Sequence, residues 1–312
     1  MKIEVLTIFP QLFETVFNWG VISRAIKNGI IAFESVDIRD FTDDRHRTTD
    51  DYPFGGGSGL VMKAEPIIKA VASRFSDDSK PHVVYPSPQG KLFDNKKALE
   101  LSKLSHIVFV CGRYEGIDER AMSSIDEEIS IGDFVLSGGE IPALLLLEVS
   151  SRFVPGVVGD MESVINDSFF SDLLDYAHYT RPREVNGMEV PEVLLSGNHE
   201  MIEIHRRMES LLRTIERRPD IFLKHDFDLT DKKALLLLFK ELRRSGSSEV
   251  RPSPRTAAAA CTSIGSPSSV PVPWHSRYPT DEGVTPARLS ASRMTLCWAG
   301  PFGAVGPLLR PS

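Results

Sequence analysis

Residues 107–116 read Ile-Val-Phe-Val-Cys-Gly-Arg-Tyr-Glu-Gly, an apolar run followed at once by a turn of small and polar residues. A short apolar run rich in β-branched and aromatic residues is typical of a strand buried on both faces. Comparable runs predict strands at 2–8, 30–38, 82–86, 107–111 and 127–131. Segments with helical periodicity alternate with them, at 11–27, 64–73, 95–104 and 140–153. This alternation predicts an α/β fold in which helices cover a parallel sheet.

The composition is typical of a globular protein. The chain has 312 residues, of which 41% are hydrophobic and 25% charged, so it can form one or two domains with a substantial core. Its three cysteines, Cys111, Cys261 and Cys297, fit neither a disulfide framework nor a metal-ligand spacing. The amino terminus lacks signal-peptide features, and no apolar run reaches the length of a membrane span. We therefore expect a cytoplasmic protein without membrane contact.

The character of the sequence changes along the chain. The alternating elements occupy 1–157, and the Gly-, Pro-, Asn- and Asp-containing stretch 158–171 is expected to be an interdomain linker. Residues 172–245 are predicted to form a small helical domain, with Asn198 and Thr230 as the N-caps of its two long helices. Residues 246–312 hold ten of the 21 prolines and no lysine, a composition that predicts a disordered tail.

Small-residue loops follow three of the predicted strands. Ser87-Pro88-Gln89-Gly90, 111–116 and 131–140 each resemble an ordinary turn when taken alone. The carboxyl ends of parallel strands meet at one edge of a sheet, so together these loops indicate a ligand pocket there. The glycine run at 55–59 matches neither a dinucleotide-binding motif nor a P-loop. It is either a flexible turn or a place where backbone amides approach a ligand closely.

Other candidate residues have two interpretations each. Arg152 follows Glu148 by four residues and could form a surface ion pair, and Asp167 could cap a short helix. His199 and His205 are six residues apart, which is not the spacing of a zinc-binding helix, so no metal ligand is predicted.

Arginines recur along the long helix predicted to begin after Asn198. Arg206, Arg213 and Arg217 are either part of a solvated, ion-paired face with the interleaved glutamates or a stripe that contacts phosphates. The net charge of −7 argues mildly against a nucleic-acid partner, but the local placement of basic residues matters more than the total.

Taken together, these motifs resemble the bacterial tRNA (guanine-N1)-methyltransferase family, TrmD, of the SPOUT superfamily. The resemblance covers residues 1–243 in order. It is carried by 8–10 (Ile-Phe-Pro), 52–60, 87–90 (Ser-Pro-Gln-Gly), 111–120, 131–140, 178–182 (His-Tyr-Thr-Arg-Pro), 187–191 (Gly-Met-Glu-Val-Pro) and 194–199. The one departure noticed is Ser58, where the family pattern has proline.

The resemblance implies a knotted parallel-sheet domain with a deep trefoil knot, then a small all-α domain, in a homodimer. It implies transfer of a methyl group from S-adenosyl-L-methionine to N1 of guanosine 37, which lies 3′ of the anticodon, in support of reading-frame maintenance. By the resemblance, Asp167 is the general base and Arg152 stabilises charge on guanine O6. The implied cofactor-binding residues are Tyr85, Pro86, Ser87, Gly112, Tyr114, Glu115, Ile131, Gly132, Phe134, Leu136, Gly138 and Gly139.

The resemblance also implies how the RNA is recognised. Asp50 and the loop from Gly55 to Gly59 would contact the target guanosine, and Arg206, Arg213 and Arg217 would contact the tRNA anticodon stem-loop. It adds Mg²⁺ as a cofactor, for which the sequence has no readable ligand pattern. A knotted methyltransferase with another RNA target, and a non-catalytic RNA-binding protein, are the competing functions.

Overall fold

A five-stranded parallel sheet forms the centre of the amino-terminal part of the chain. The computed structural model describes residues 1–76, 80–161, 164 and 167–245, with 241–245 described by backbone only. The sheet contains β1 (Lys2–Thr7), β2 (Ala32–Asp37), β5 (His82–Leu92), β6 (His106–Val110) and β7 (Glu127–Ser130). Its order is β2-β1-β6-β5-β7, and every pairing is parallel. The predicted parallel α/β architecture is confirmed.

Helices cover both faces of this sheet. They are α1 (Pro10–Val16), α2 (Gly20–Lys27), α3 (Ala64–Ala72), α4 (Asn95–Ser102) and α5 (Glu140–Ser151), with 3₁₀ turns at Ile38–Phe41 and Glu119–Ser124. Alternate residues of β6 enter different cores: Phe109 packs in the cluster that contains α1, α2 and α5, whereas Val108 packs in the cluster that contains α3. Burial on both faces explains why the central strand β6 is a nearly continuous apolar run.

Two predicted elements of this part were wrong in detail. The single helix expected at 11–27 is two helices, because Gly20 adopts φ +77° and the turn of α1 does not continue through it. The strand expected to end at residue 86 extends to Leu92, and its pairing with β7 is interrupted between Pro86 and Lys91. The backbone at Gly90 passes so close to that of Glu128 that a Cβ would collide with it.

The carboxyl-terminal described part is largely helical. It contains α6 (Glu192–Leu195), α7 (His199–Arg217), α8 (Pro219–Phe222) and α9 (Leu229–Ser245), together with a short ribbon of β8 (Glu184–Val185) and β9 (Met188–Glu189). Asn198 caps α7 by accepting a hydrogen bond from the amide of Met201, as predicted. Thr230 is not a cap, because α9 begins at Leu229 and Asp228 accepts from the amide of Asp231 instead. The tail predicted at 246–312 lies outside the described residues.

These helices share a core of their own, formed by residues of α7, α8 and α9 around Phe222 and Leu235. No helix among the described residues is long and apolar enough to cross a membrane.

A buried ion-pair network joins α7 to α9. The carboxylate of Asp231 is fully buried and accepts hydrogen bonds from the Arg207 guanidinium and, at 2.9 Å, from Nε2 of His225. Burial alone raises the pKa of Asp231, but the bonds from His225 and Arg207 outweigh it and hold that pKa well below its usual range. The network therefore stabilises the fold only while Asp231 is ionised.

Replacing Asp231 with asparagine should lower the free energy of unfolding by about 3 kcal/mol at neutral pH, because it leaves Arg207 without its buried partner. The pKa of Asp231 is depressed in the folded state, so its contribution is complete above the unfolded pKa of about 4 and is lost as the pH falls below it. Urea unfolding should accordingly show a smaller difference between wild type and variant at acidic than at neutral pH.

The exposed carboxylate of Asp220 also pairs with an arginine, Arg218, at 2.8 Å, and provides a matched control. Asp220→Asn should leave the unfolding midpoint nearly unchanged. An Asp231→Asn variant as stable as wild type at neutral pH would contradict the role given to the network.

Candidate functional site

The loops that follow β6 and β7 are in direct contact at the carboxyl edge of the sheet. The amide of Gly139 donates a hydrogen bond to the carbonyl of Gly112 at 2.8 Å, and Arg113 forms a β-bridge with Gly138. A Cβ on Gly139 would lie 2.9 Å from Cα of Cys111 and 3.0 Å from the nitrogen of Gly112. Only glycine permits this approach, so the two loops form one backbone-lined cradle.

Apolar side chains with large exposed fractions surround this cradle. Tyr114 is 52% exposed, Phe134 54% and Leu136 41%, and Tyr114 adopts the left-handed φ of +60°. The Tyr85 hydroxyl packs so close to Gly112 that a Cβ there would collide with it. Burial, with a smaller effect from Glu128, raises the pKa of Tyr85, so its hydroxyl stays protonated at neutral pH.

Four more of the residues predicted to bind the cofactor lie in two places. Gly132 and Ile131 lie at the start of the loop after β7, where the ring of Phe134 covers Gly132. Pro86 and Ser87 are buried in β5 where its pairing with β7 is interrupted.

The glycine run lies next to the loop that follows β6. It connects β3 (Asp50–Asp51) to β4 (Val61–Met62), and the amide of Glu115 donates to the carbonyl of Leu60 at 3.0 Å. A Cβ on Gly59 would collide with the carboxylate of Glu115, and Gly59 adopts φ +88°. Gly55 and its neighbours are exposed, whereas Asp50 is half-buried at the base of the loop. The structure therefore brings the predicted base-recognition loop beside the cradle.

Arg152 and Asp167 form a direct ion pair. Nη2 of Arg152 donates to Oδ2 of Asp167 at 3.0 Å, and each side chain is 43% exposed. The other oxygen of Asp167 accepts from the amide of Ser168 at 2.8 Å. The surface pair between Arg152 and Glu148 considered from the sequence is replaced by this contact. Asp167 also bonds the adjacent amide rather than one two or three residues ahead, as a helix cap would.

The pair opens into a cavity of about 250 Å³. Described residues that line it are Asn95, Val149, Arg152, Phe153, Val164, Asp167, Ser168 and Phe169. The turn that carries Asp167 is fixed to α4, because the side-chain amide of Asn95 donates to the carbonyl of Ser168 at 3.3 Å. Phe169 adopts φ +70°, a conformation that a bulky residue seldom takes without support from its surroundings.

The ion pair and the cradle lie at opposite ends of α5. Gly139 is the N-cap of this helix and Arg152 is its C-cap. At 1.5 Å per residue the two ends are about 18 Å apart. No described residue of the loops after β6 or β7 lines the cavity of the ion pair. Within one chain, the cradle and the ion pair are therefore two separate groups of residues.

A model of the family described as tRNA (Guanine-1)-methyltransferase TrmD matches residues 1–224 of the chain. The chain belongs to the TrmD family. Relatives named tRNA (guanine-N(1)-)-methyltransferase include proteins from Fervidobacterium nodosum, 57% identical over 242 residues, and Thermotoga petrophila, 52% identical over 242 residues. Each alignment covers 78% of this chain and 98% of the relative. A relative of the same name from Persephonella marina is 52% identical over 243 residues, with 78% and 96% covered.

Three arginines form a basic stripe along α7. Arg206 and Arg217 are exposed and Arg213 is half-buried, and none of the three forms an ion pair with a described side chain. Arg206 instead lies over the ring of Tyr176, 4.9 Å from its centroid. The interleaved glutamates therefore do not pair with these three arginines in the described part of the chain.

Two residues that support the cradle, Glu140 and Thr7, were not predicted from the sequence. Glu140 is buried and accepts a hydrogen bond from Thr7, 133 positions earlier. Glu140 ends the motif at 131–140, but nothing in the local sequence indicates its contact with Thr7. Only their positions could have indicated this role. Thr7 ends β1 and Glu140 follows the loop after β7, so both lie at the carboxyl edge of the sheet.

Within the described ranges, no group of three or more His, Cys, Asp or Glu side chains is arranged to hold a metal ion. Cys111 is a free, buried cysteine. Burial, together with the charge of Glu140, raises the pKa of its thiol well above the usual range, so Cys111 packs as an apolar residue rather than acting as a nucleophile.

Proposed function

We propose that this chain is a tRNA (guanine-N1)-methyltransferase that uses S-adenosyl-L-methionine to methylate N1 of the guanosine directly 3′ of the anticodon. One observation carries the proposal: a carboxylate and a guanidinium, Asp167 and Arg152, face one open cavity in a member of the TrmD family. This pair matches the two charge changes that the reaction creates on adjacent atoms of guanine.

The first charge change is the loss of a proton. Guanine N1 carries hydrogen in the neutral base and is a poor nucleophile until that hydrogen leaves. The carboxylate of Asp167 is half-exposed and faces the cavity, so it can accept the N1 proton from a base that enters there. Its bond from the Ser168 amide fixes the orientation of the carboxylate before the base arrives.

The second charge change develops on oxygen. Loss of the N1 proton places negative charge on guanine O6, next to N1 in the ring. The Arg152 guanidinium, now held by Asp167, can turn from the carboxylate toward O6 and stabilise that charge. A ribose hydroxyl target would need no such cation, which favours the base over the ribose as the site of methylation.

The residues of the cradle fit S-adenosyl-L-methionine. Gly112, Gly138 and Gly139 leave no room for a Cβ, which brings backbone groups to the surface of the cradle. The exposed side chains of Tyr114, Phe134 and Leu136 can cover an adenine ring. When bound, the cofactor supplies an electrophilic methyl group on a sulfonium. The remaining residues assigned to this pocket are Tyr85, Pro86, Ser87, Glu115, Ile131 and Gly132.

The described residues do not provide a set of ligands suited to Mg²⁺. The described residues contain no cluster of acidic or imidazole groups able to hold it, so no step of this proposal uses the metal.

RNA recognition is assigned to the surfaces next to the cradle and on α7. Asp50 and the exposed loop from Gly55 to Gly59 would read the target guanosine, which must be unstacked to reach the cavity. Ser58 in place of a proline makes that loop less constrained but removes no charged group.

The proposal includes a homodimer. The cradle and the ion pair of one chain lie at opposite ends of α5, and we take them to be two half-sites. In the dimer, the Asp167 turn of one copy would complete the cradle of the other. Val135 is 82% exposed and Ile141 54%, and Ile141 shares a helix face with Leu145, which is 39% exposed. A second copy would cover these apolar side chains. Sedimentation of the purified chain tests the dimer.

The knot and the domain boundaries are also proposed, from the resemblance to the TrmD family. The sheet domain at 1–157 would contain the trefoil knot, and 158–171 would link it to a helical tRNA-binding domain at 172–245. The short β8–β9 ribbon makes this second domain not purely helical. A cytoplasmic location stays a prediction.

Neutralising the arginine stripe tests the assigned tRNA surface. Combined replacement of Arg206, Arg213 and Arg217 by glutamine should weaken tRNA binding and lower the slope of log affinity against log salt by roughly 2, because up to three phosphate contacts are lost. Cofactor affinity should not change. The matched variant with three lysines keeps the charge and should keep the slope. An unchanged slope in the glutamine variant would rule out this surface.

The function itself is tested by identifying the product. The purified chain is incubated with a tRNA transcript and methyl-labelled S-adenosyl-L-methionine, and the RNA is digested to nucleosides. The label is expected in 1-methylguanosine. Label in a ribose-methylated nucleoside or a methyladenosine would favour the competing methyltransferase, and cofactor binding without transfer would favour the non-catalytic RNA-binding protein.

A further inference from the structure

A buried carboxylate outside the proposed catalytic pair joins three parts of the sheet edge. Glu140, the first residue of α5, is 1% exposed. Its Oε1 accepts a hydrogen bond from Oγ1 of Thr7 at 2.8 Å, and its Oε2 lies 2.9 Å from Nε of Arg113. The end of β1, the loop after β6 and the start of α5 therefore meet at one side chain.

The contact between Glu140 and Arg113 is an ion pair without a well-directed hydrogen bond. Neither Oε2 of Glu140 nor Nε of Arg113 has a hydrogen-bond partner within the described part of the chain, although the two atoms are close. A Cβ on Gly138 would collide with both groups, so the pair is pressed against the cradle backbone. The Glu140 carboxylate and the Arg113 guanidinium therefore stabilise each other mainly by charge attraction, which burial strengthens.

Arg113 connects the Glu140 carboxylate to the loop after β7. Its Nη1 donates to the carbonyl of Ser137 at 3.3 Å, in the loop after β7. Its guanidinium lies over the ring of Phe9, 4.5 Å from the centroid, and the amide of Phe9 donates to Oγ1 of Thr7 at 2.9 Å. Glu140, Arg113, Phe9 and Thr7 therefore form a closed ring of contacts beside the cradle.

We propose that Glu140 is a positioning residue for the cofactor pocket: it fixes Arg113, and through Arg113 the spacing of the two cradle loops. This inference rests on the proposed function, because it takes the cradle to be the S-adenosyl-L-methionine site. A pocket held in its binding geometry avoids the cost of ordering its loops when the ligand binds. Loss of the Glu140 charge should therefore weaken cofactor binding more than it slows methyl transfer at saturation.

Glu140→Gln is the direct test. Glutamine keeps the volume and an acceptor for Thr7 but removes the charge that faces Arg113. Calorimetric titration with S-adenosyl-L-methionine should show affinity reduced about tenfold, with kcat at saturating cofactor changed less than about twofold. Unchanged affinity in a folded variant would overturn the inference. Failure of the wild type to bind the cofactor would instead overturn the proposed function.

Glu4→Gln is the matched control. Glu4 is also fully buried on β1, and Arg74 and Lys2 each lie 3.1 Å from its Oε1, but this cluster lies away from the cradle loops. The control should lower stability without changing cofactor affinity. An equal loss of affinity in Glu4→Gln would reduce the effect of Glu140 to general destabilisation and so contradict the inference.

A second variant keeps the test decisive if Glu140→Gln does not fold. Arg113 is half-exposed, and Arg113→Met alone should also weaken cofactor binding about tenfold. Where Glu140→Gln does fold, the losses in the double variant should not multiply, because both substitutions break the same contact. Independent, multiplicative losses, or no loss in Arg113→Met, would overturn the inference.

Discussion

Replacing Asp167 with asparagine is expected to slow methyl transfer about a thousandfold, within the usual range for removal of a general base. Asparagine has nearly the same shape and can still accept the bond from the Ser168 amide. It cannot take a proton from guanine N1. Cofactor affinity should be nearly unchanged, because asparagine keeps the size of the side chain and Asp167 is assigned to the guanine base rather than to the cofactor. Single-turnover transfer of labelled methyl to tRNA, with calorimetric cofactor titration, measures both quantities.

Asp172 provides a closely matched control for that experiment. It lies in the same turn, 3.6 Å from the Lys96 ammonium at the surface, and its left-handed φ of +54° is one that asparagine tolerates. Asp172→Asn should transfer methyl at close to the wild-type rate. A folded Asp167→Asn variant that works within tenfold of wild type would show that another group removes the proton.

Replacing Gly139 with alanine is expected to weaken S-adenosyl-L-methionine binding by roughly 10- to 100-fold. The added methyl group would lie 2.9 Å from Cα of Cys111 and 3.0 Å from the nitrogen of Gly112, and these are backbone atoms that cannot rotate away. The loops after β6 and β7 must then separate, at the cost of about 1–3 kcal/mol typical of overpacking. Equilibrium titration with the cofactor measures the change.

Gly159→Ala is the control for this variant, since a Cβ at Gly159 would contact nothing within 4 Å and its φ is not in the left-handed region. It should bind the cofactor as wild type does. A folded Gly139→Ala variant with wild-type affinity would mean that the cofactor binds elsewhere.

The two impaired variants can also complement each other when they are assayed at a cofactor concentration too low to occupy the Gly139→Ala cradle. If Asp167 completes the cradle of the partner chain, co-expression of Asp167→Asn with Gly139→Ala should recover about a quarter of the wild-type activity, because half of the dimers are mixed and each has one intact site. If both half-sites of one chain acted together, mixed dimers would remain inactive.

The centre of the sheet was predictable because strands such as β6 are buried on both faces. Burial gives runs such as 107–111 a signal that does not depend on distant partners, and the cap Asn198 acts on an amide only three residues ahead. The errors arose where a backbone conformation or a competing neighbour decided the outcome. Gly20 interrupts a helical pattern through its positive φ, and Asp228 replaces Thr230 as the cap of α9.

The site was less predictable from its residues alone. Three loops at the carboxyl edge of a parallel sheet followed from topology, and the contact between Gly139 and Gly112 agrees with that expectation. The roles of Arg152 and Asp167 came from family resemblance, since each had an ordinary local interpretation. Glu140 was missed because its partner Thr7 lies 133 positions away, and only tertiary packing brings them together.

The central claim is that Asp167 removes a proton from a purine ring nitrogen before methylation. It is tested most directly by comparing transcripts that differ only in carrying G or A directly 3′ of the anticodon, because adenine has no hydrogen on N1. Transfer of labelled methyl from S-adenosyl-L-methionine is expected to the G transcript and not measurably to the A transcript. Equal transfer to both would contradict the account.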